Sequence, residues 1–225
     1  MRLITIGCEY AGKTTLSDAL REWGPTQGRH FHMDDADFSI PDVRHLEDEE
    51  QRVMAALPAR IKERFQRFQI YYHIGVISKF DDCILGGFHI EETVYGPRYY
   101  YPGRTVGYAR EVETKLPSDT ILVLLTADPD VIRERMKAGP HAYQLVQPDE
   151  IEDVQRQFEQ EFGASWIKHK VRLDTSEFPP EEILDRFLDL VRPSLSMRDL
   201  ILLGRRYRRR GRMSGEEGAS AEPRS

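Results

Sequence analysis

Apolar residues along this chain follow two alternating patterns, short continuous runs and longer segments with helical spacing. The runs at residues 3–6, 83–88 and 120–126 are typical of strands buried on both faces. Residues 29–33 and 171–176 predict two further strands, and helical spacing fills the segments between the strands. This alternation predicts an α/β fold of three layers, in which a five-stranded parallel sheet is covered by helices on both faces.

A long amphipathic helix is predicted over residues 59–79. Its apolar side chains recur at helical spacing, at Ile61, Phe65, Phe68 and Tyr72. We expect this stripe to pack in the core. We also expect Pro58 to interrupt any helix in the charged segment before it, because proline removes a helical hydrogen bond.

The other predicted helices have recognisable ends. The dipeptide Gly24-Pro25 is expected to stop the first helix. Asp128-Pro129 is a typical cap followed by a first helical residue, and the helix after it ends near Gly139. A further helix follows Pro148, and residues 180–191 form the closing helix.

One motif joins the first strand to the first helix. Residues 7–14 read Gly-Cys-Glu-Tyr-Ala-Gly-Lys-Thr, which fits the pattern G-x-x-x-x-G-K-[ST] at every fixed position. Backbone N–H groups can wrap a polyphosphate only where side chains do not intervene, and glycine meets that requirement. The motif therefore predicts a nucleotide-phosphate site formed by Gly7, Glu9, Tyr10, Ala11, Gly12, Lys13, Thr14 and Thr15.

Two side chains of this motif carry the chemistry of phosphoryl transfer. Lys13 is expected to reach the β- and γ-phosphates of ATP as a point charge, and we count it as catalytic. The hydroxyl of Thr14 is expected to bind the Mg²⁺ ion that bridges the same phosphates. ATP and Mg²⁺ are thus the predicted cofactors.

A cluster of carboxylates follows the second predicted strand, at residues 34–37. In an open α/β sheet the carboxyl ends of the strands face the ligand crevice. Asp35 or Asp37 could therefore orient an acceptor or hold Mg²⁺ through water, with Asp35 as the catalytic candidate and Asp37 as the substrate-binding one. The alternative is a helix cap or a solvated turn.

The stretch that follows the third strand, residues 89–111, is rich in carboxylates, tyrosines and arginines. Such a loop after a central strand is where an α/β enzyme builds its acceptor pocket. Arg98, Arg104 and Arg110 are candidate clamps for an acceptor phosphate, because guanidinium groups match phosphate bidentately. Each arginine taken alone also fits a surface salt bridge.

The composition limits the class of protein. A chain of 225 residues that is 40% hydrophobic suffices for one α/β domain with a full core. A formal net charge of −6 argues against a surface built as a whole for nucleic acid.

Cys8 and Cys83, the only cysteines, lack the spacing of a metal site, which favours a reducing cytoplasm. No apolar run approaches the ~20 residues that cross a bilayer, and we expect no leader before the first strand.

The character of the chain changes near its end. We predict one domain over residues 1–195 and a tail over residues 196–225, basic at first and then too poor in apolar residues to fold. Six arginines between Arg205 and Arg212 make the tail locally basic. We favour a solubilising tail over a nucleic-acid contact for this run.

Several of these features together resemble the P-loop nucleoside monophosphate kinases, thymidylate kinase most of all. They are the phosphate motif at residues 7–14, the stretch Asp-Pro-Asp-Val-Ile-Arg-Glu-Arg-Met at 128–136, and Leu-Asp-Thr-Ser at 173–176. The resemblance implies the P-loop NTPase fold with strand order 2-3-1-4-5 and an adenine-side loop at residues 174–178. It also implies a lid over the phosphates, which falls on Arg133 and Arg135, with Lys137 beyond them.

The chain departs from this family after the third strand. Thymidylate kinases carry Asp-Arg-Tyr there, whereas this chain has Gly-Gly-Phe at residues 86–88. The carboxylate must then come from Glu91 or Glu92, or from the cluster at residues 34–37. We assign Glu91 a catalytic role and Glu92 a role in substrate binding.

Together these features predict a cytoplasmic, ATP-dependent phosphotransferase of the nucleotide kinase type. The predicted acceptor is a small molecule, a nucleoside or deoxynucleoside monophosphate. Two alternatives stay open: a kinase of a non-nucleotide metabolite, and a nucleotide-binding protein without turnover that contacts nucleic acid through residues 205–212.

Overall fold

A central sheet of five parallel strands organises the fold, in a computed structural model that describes residues 1–34, 47–140 and 144–203. The strands are β1 Arg2–Ile6, β2 His32–Asp34, β3 Cys83–Gly86, β4 Thr120–Thr126 and β5 His169–Asp174. All neighbouring strands pair in parallel, in the order β2-β3-β1-β4-β5. The predicted parallel sheet and its strand order are thereby confirmed.

In addition to the helical residues 197–203, the described ranges contain eight α-helices, seven of them between strands and one after β5. They are α1 Lys13–Thr26, α2 Asp48–Ala56, α3 Ala59–Lys79, α4 Phe88–Tyr95, α5 Ala109–Glu113, α6 Pro129–Ala138, α7 Ile151–Ala164 and α8 Ile183–Val191. A π-helix, Gly96–Tyr100, continues from α4. Short 3₁₀ turns flank α8 at Pro180–Glu182 and Arg192–Ser194. The side chain of Asp128 caps α6 by accepting a hydrogen bond from the Asp130 N–H, as the sequence predicts.

Each face of the sheet has its own hydrophobic core, because successive strand residues point to opposite faces. Leu3 of β1 packs with α1 and α8, whereas Ile4 packs with α3, α4, α6 and α7. Both side chains are completely buried. The helices therefore cover the sheet on two faces, and the predicted three layers are confirmed.

The apolar stripe predicted for the core on α3 lies at the surface instead. Phe65 is 49% exposed and Phe68 is 74% exposed, and Ile61 and Tyr72 are exposed as well. The buried side chains of α3 are Glu63, Ile70, His73, Val76 and Ile77. Helical spacing identified the helix, but the face that meets the sheet carries polar groups and only a few apolar ones. Periodicity alone therefore selected the wrong face.

Three element boundaries differ from the prediction. α1 runs through Gly24-Pro25 to Thr26, since a proline in the last turn removes only one helical hydrogen bond. α2 forms just before Pro58, with a capping box between Glu47 and Glu50. The stretch predicted as a loop after the third strand is helical, because β3 ends at Gly86 and α4 begins two residues later.

The described part of the predicted tail packs onto the domain. Residues 197–203 are helical, and Asp199 and Leu203 are each only 4% exposed. The carboxylate of Asp199 pairs with the fully buried guanidinium of Arg29, which also pairs with Asp82 at 3.1 Å. The packed domain thus extends to residue 203, beyond the predicted boundary at 195, because charges distant in sequence meet there. The arginine run at 205–212 lies outside the described residues.

Candidate active site

The loop between β1 and α1, called here the phosphate loop (residues 7–14), has the backbone geometry of an anion cradle. Gly7 has φ 147°, and a Cβ at this position would lie 2.3 Å from the carbonyl oxygen of Leu125. Gly12, at φ 96°, precedes α1, whose N-terminus has no side-chain cap. The first N–H groups of a helix lack intrahelical partners and attract anions. The loop therefore offers backbone donors where the sequence predicts phosphates.

Lys13 lies at the start of α1 and points back over the loop. Its Nζ donates to the carbonyl oxygen of Gly7 at 2.5 Å and to Oε2 of Glu91 at 3.0 Å. The side chains of Lys13 and Glu91 are only 20% and 14% exposed. This partly buried ion pair connects the phosphate loop to α4.

A turn at the end of β3 places Glu91. Gly87 and Phe88 both have positive φ, 68° and 51°, and α4 starts directly from this turn. A Cβ at Gly87 would lie 2.4 Å from Cδ of Glu91. The glycine thus leaves the space that the carboxylate occupies. The Gly-Gly-Phe departure from thymidylate kinases is accompanied by a carboxylate one helical turn later.

Glu9 and Tyr10 of the phosphate loop hold the segment that leads into α7. The carboxylate of Glu9 accepts hydrogen bonds from the backbone N–H groups of Leu145 and Val146, the latter at 2.9 Å. The Tyr10 hydroxyl donates to Gln144, and the Glu9 N–H donates to the hydroxyl of Tyr95 at 3.1 Å. These two side chains therefore position protein segments around the loop.

Arg133 and Arg135, the two lid candidates, point in different directions. Arg135 donates to the carbonyl oxygen of Tyr10 at 3.0 Å and to the hydroxyl and carbonyl oxygens of Thr175 at 2.9 and 2.7 Å. Arg133 instead pairs with Asp130 and Glu152 on the surface. Burial lowers the pKa of Arg135, whereas the hydrogen bond that Arg133 donates to Glu152 raises the pKa of Arg133.

Lys137, beyond these arginines, is exposed. Residues 139–150, between α6 and α7, contain no lysine or arginine. Arg135 is thus the member of the predicted lid set that lies beside the phosphate loop.

A large pocket of about 640 Å³ opens over the phosphate loop. Its wall includes side chains from the loop, from α4, from α6 and from the segment after β5, among them Lys13, Thr14, Thr15, Glu91, Arg135, Thr175, Phe178 and Pro180. The predicted adenine-side loop at residues 174–178 contributes to this wall. The pocket has room for a nucleotide whose phosphates lie on the loop.

A small cavity of about 70 Å³ lies between α3 and α4, at the carboxyl end of β3. Its lining residues are Gln66, Gln69, Ile70, His73, Leu85, Gly86, Phe88, Glu91, Glu92 and Tyr100. Glu91 and Tyr100 also line the large pocket, so the two spaces adjoin at the Glu91 carboxylate.

Glu92 differs from its neighbour in having no counter-ion among the described residues. It is only 4% exposed, and its Oε1 has no hydrogen-bond partner within the described ranges. Burial, helped by the nearby carboxylates of Glu91 and Glu63, raises the pKa of Glu92 to about 8. The two adjacent glutamates therefore differ: Glu91 forms an ion pair with Lys13, whereas the raised pKa of Glu92 favours its protonated form at neutral pH.

The predicted clamp residues Arg98, Arg104 and Arg110 do not line either space. Arg98 pairs with Glu150 and Asp153 of the α7 region, and Arg110 pairs with Glu113 and Glu161. Arg104 is exposed. Asp35 and Asp37 lie outside the described residues. The predicted clamp is thus replaced by ion pairs that attach the π-helix and α5 to α7.

Sequence reasoning missed several residues of the site. Tyr95, Tyr100 and Thr175 lie in stretches that were singled out, but only packing shows which side chains reach the phosphate loop. No sequence pattern indicated Gln69 as a site residue, because a glutamine within a charged helix is typical of a solvated face.

The residues present fit a magnesium ion held together with a nucleotide. Thr14 is exposed at the start of α1 and lines the large pocket beside Lys13. Within the described residues no group of three histidine, cysteine or acidic side chains forms a metal site. Mg²⁺ in kinases is usually bound by one or two protein oxygens together with substrate phosphates. The Thr14 hydroxyl fits such a role.

No helix in the described ranges combines the length and the apolar character needed to span a membrane. The sequence matches no model of a protein family and no curated protein.

Solved structures of low sequence identity share the fold. YorR from Bacillus subtilis, in complex with phosphorylated GDP, is 17% identical with a TM-score of 0.58, covering 85% of this chain and 96% of its own. Deoxyadenosine kinase from M. mycoides with bound dATP is 12% identical with a TM-score of 0.56, covering 84% and 98%. Thymidylate kinase from Candida albicans is 12% identical with a TM-score of 0.54, covering 85% and 90%. The predicted likeness to P-loop kinases is confirmed at the level of the fold.

Proposed function

We propose that this chain is an ATP- and Mg²⁺-dependent phosphotransferase that moves the γ-phosphoryl group of ATP to a small acceptor. The observation that carries the proposal is the ion pair between Lys13 Nζ and Glu91 Oε2, 3.0 Å apart, where the large pocket and the small cavity adjoin. A phosphate-binding cation and a carboxylate in contact are the two protein groups that phosphoryl transfer uses between donor and acceptor.

We assign ATP to the large pocket. The amides of the phosphate loop and Lys13 would hold its phosphates, and Thr14 would be the protein ligand of Mg²⁺. Bound Mg²⁺ supplies neutralisation of the charge on the β- and γ-phosphates. Arg135 lies beside the loop and is the arginine positioned to contact the nucleotide. Segment 174–178 supports the assignment of the base side, because its residues Thr175 and Phe178 line the large pocket.

In the proposed reaction an oxygen of the acceptor attacks the γ-phosphorus as the bond from that phosphorus to the β,γ-bridging oxygen breaks. ADP leaves with the electron pair of the broken bond. Where the attacking group is a hydroxyl, its proton passes to the Glu91 carboxylate. The phosphates of ATP compete for Lys13 Nζ, so nucleotide binding releases Glu91 to accept the hydrogen bond of the acceptor. Most of the rate acceleration then comes from positioning and charge stabilisation.

A transfer assay tests this function. The purified protein is incubated with γ-labelled ATP, Mg²⁺ and a panel of nucleoside monophosphates, nucleosides and small polyols. We expect label to enter one class of acceptor with equal release of ADP, and Glu91→Gln to lower kcat by about a hundredfold. Arg133→Ala, a surface change, is the control. ATP binding without labelling of any acceptor would refute the proposal and favour a nucleotide-binding protein without turnover.

A further inference from the structure

We propose that the small cavity between α3 and α4 selects an electrically neutral acceptor, so that a hydroxyl group rather than a phosphate receives the γ-phosphoryl group. This inference rests on the proposed function and narrows its acceptor. It departs from the monophosphate that the sequence predicts. Three features of the described residues carry it: the charge of the lining, the ion pairs of the nearby arginines, and two buried polar groups without partners.

The lining of the small cavity has carboxyl groups but neither lysine nor arginine in the described part of the chain. Glu91 and Glu92 both line it, and the buried carboxylate of Glu63 is close enough to raise the pKa of Glu92. A phosphate group there would be buried beside these carboxyls with no cation from the described lining to compensate its charge, and an uncompensated charge is costly to bury. An uncharged acceptor avoids that cost.

Three of the arginines that could serve an acceptor phosphate are engaged in ion pairs, and Arg104 is exposed. Arg98 and Arg110 are held by two carboxylates each. Arg67 of α3 pairs with Glu63, and its guanidinium carbon lies 4.9 Å from the ring centroid of Tyr108. Lys13, the cation at the junction of the two spaces, belongs to the phosphate loop. Recruiting any of these arginines would leave one or two carboxylates unpaired.

Two polar side chains in the lining have atoms without partners within the described ranges. They are Oε1 of the buried Glu92 and Oε1 of Gln69. Buried polar atoms in folded proteins nearly always have hydrogen-bond partners, so a ligand is the natural source of the missing ones. A protonated carboxyl and an amide each offer one donor function and one acceptor function. They match a neutral molecule with amide-like or hydroxyl groups better than an anion.

A nucleoside is a molecule of this chemical class. It has hydrogen-bond donors and acceptors on its base, no charge, and a hydroxyl group for transfer. The hydroxyl oxygen would form the new bond to the γ-phosphorus, and its proton would pass to Glu91. The product is a monophosphate together with ADP.

Paired acceptors provide the test. A nucleoside and its own 5′-monophosphate are compared as acceptors at saturating ATP and Mg²⁺, and their binding is measured by calorimetry with a non-hydrolysable ATP analogue present. A polyol without amide groups is the third arm. We expect kcat/KM for the nucleoside to exceed that for the monophosphate at least tenfold, and binding to follow the same order. A preference for the monophosphate, or for the polyol over the nucleoside, would overturn the inference.

Variants of the cavity wall separate recognition from chemistry. Glu92→Leu and Gln69→Leu should each raise KM for the nucleoside about tenfold while KM for ATP stays within twofold, as for one lost buried hydrogen bond. Glu111→Gln, an exposed carboxyl change on α5, is the matched control. Unchanged KM for the nucleoside in both cavity variants would contradict the assignment.

The two proposals fail in different ways. Transfer to monophosphates alone would leave the phosphotransferase standing and refute the neutral acceptor. If no acceptor is labelled, the calorimetric comparison still decides whether the cavity prefers the neutral ligand.

Discussion

The two spaces that meet at Glu91 are built in opposite ways. The large pocket is based on one contiguous segment, whose glycines and helix N-terminus bind through the backbone and whose Lys13 adds a cation. The small cavity is made of side chains from α3, β3 and α4, with carboxyl groups and no lysine or arginine among the described residues. The large pocket suits a polyanion, and the small cavity suits a neutral molecule.

Under the proposed function, this difference would allow one site to distinguish two substrates. A phosphate chain is bound by geometry common to many proteins, because backbone N–H groups and one lysine satisfy any polyphosphate. An acceptor is recognised by particular side chains whose polar atoms require partners. Glu91 lines both spaces, and in this structure it forms an ion pair with Lys13 of the phosphate loop.

The largest effect is expected from Lys13→Ala on the donor side. Loss of the charge-assisted bonds to phosphate, at about 1.5 to 3 kcal/mol each, should lower kcat/KM by roughly three orders of magnitude. The fold should persist, because the side chain contributes charge rather than packing. Steady-state kinetics and thermal unfolding check both statements. A folded variant that retains a tenth of wild-type activity would rule out the proposed role of Lys13.

A glycine substitution tests the turn that places Glu91. Gly87→Ala should lower kcat at least tenfold, since its Cβ would lie 2.4 Å from the Glu91 Cδ and displace the carboxylate. Gly28→Ala is the matched control. Gly28 has a similar φ of 70° and no neighbouring atom within 4 Å, so Gly28→Ala places a Cβ at a positive φ without a clash.

Kinetic assays at saturating ATP and thermal unfolding of both glycine variants distinguish the steric clash with Glu91 from backbone strain. Equal losses of kcat in the two glycine variants would attribute the effect to strain alone.

The two arginines of α6 should differ by about tenfold. Arg135→Ala removes three hydrogen bonds to the phosphate loop and Thr175, so KM for ATP should rise about tenfold. Arg133→Ala removes exposed ion pairs, which contribute ~0–1 kcal/mol, and should stay within twofold of wild type. ATP titrations of both variants measure this contrast. A larger loss with Arg133→Ala would reverse the assignment of the lid arginine.

The last effect is one of stability rather than of kinetics, and it concerns Glu92 on the acceptor side. Burial holds the pKa of Glu92 at about 8 in the folded chain, against 4.5 for an ordinary glutamate. Between these values the folded state binds more protons than the unfolded state, so this group lowers the free energy of unfolding as pH rises. Glu92→Gln should therefore be nearly neutral at pH 4.5 and stabilising by about 2 to 4 kcal/mol at pH 8.

The charged groups that face Glu92 are Glu91 and Glu63, with His73 also in the cavity lining. Urea unfolding at several pH values, with Glu111→Gln as the exposed control, measures the effect. A difference that does not vary with pH would show that Glu92 is already ionised in the folded protein.

Much of the fold was predictable, because backbone geometry and hydrophobic periodicity act within short stretches of the sequence. Glycines at fixed spacing between a strand and a helix specify a phosphate loop, because the constraint acts within eight consecutive residues. Alternating strands and helices specify a parallel sheet, since the crossover connections leave few other topologies. The cap of α6 at Asp128 was equally local. The sequence also identified Glu91 as the catalytic candidate and Glu92 as the substrate-binding one, but it gave no sign of their different burial and partners.

Only the tertiary structure decided which side chains meet. It turned the apolar stripe of α3 to the surface, separated Arg135 from Arg133, and engaged Arg98 and Arg110 in ion pairs with distant carboxylates. It also buried Glu92 without a counter-ion in the described chain and left Glu91 in contact with Lys13. Burial and charge pairing depend on residues far apart in sequence, so their effect on each side chain exists only once the chain has packed.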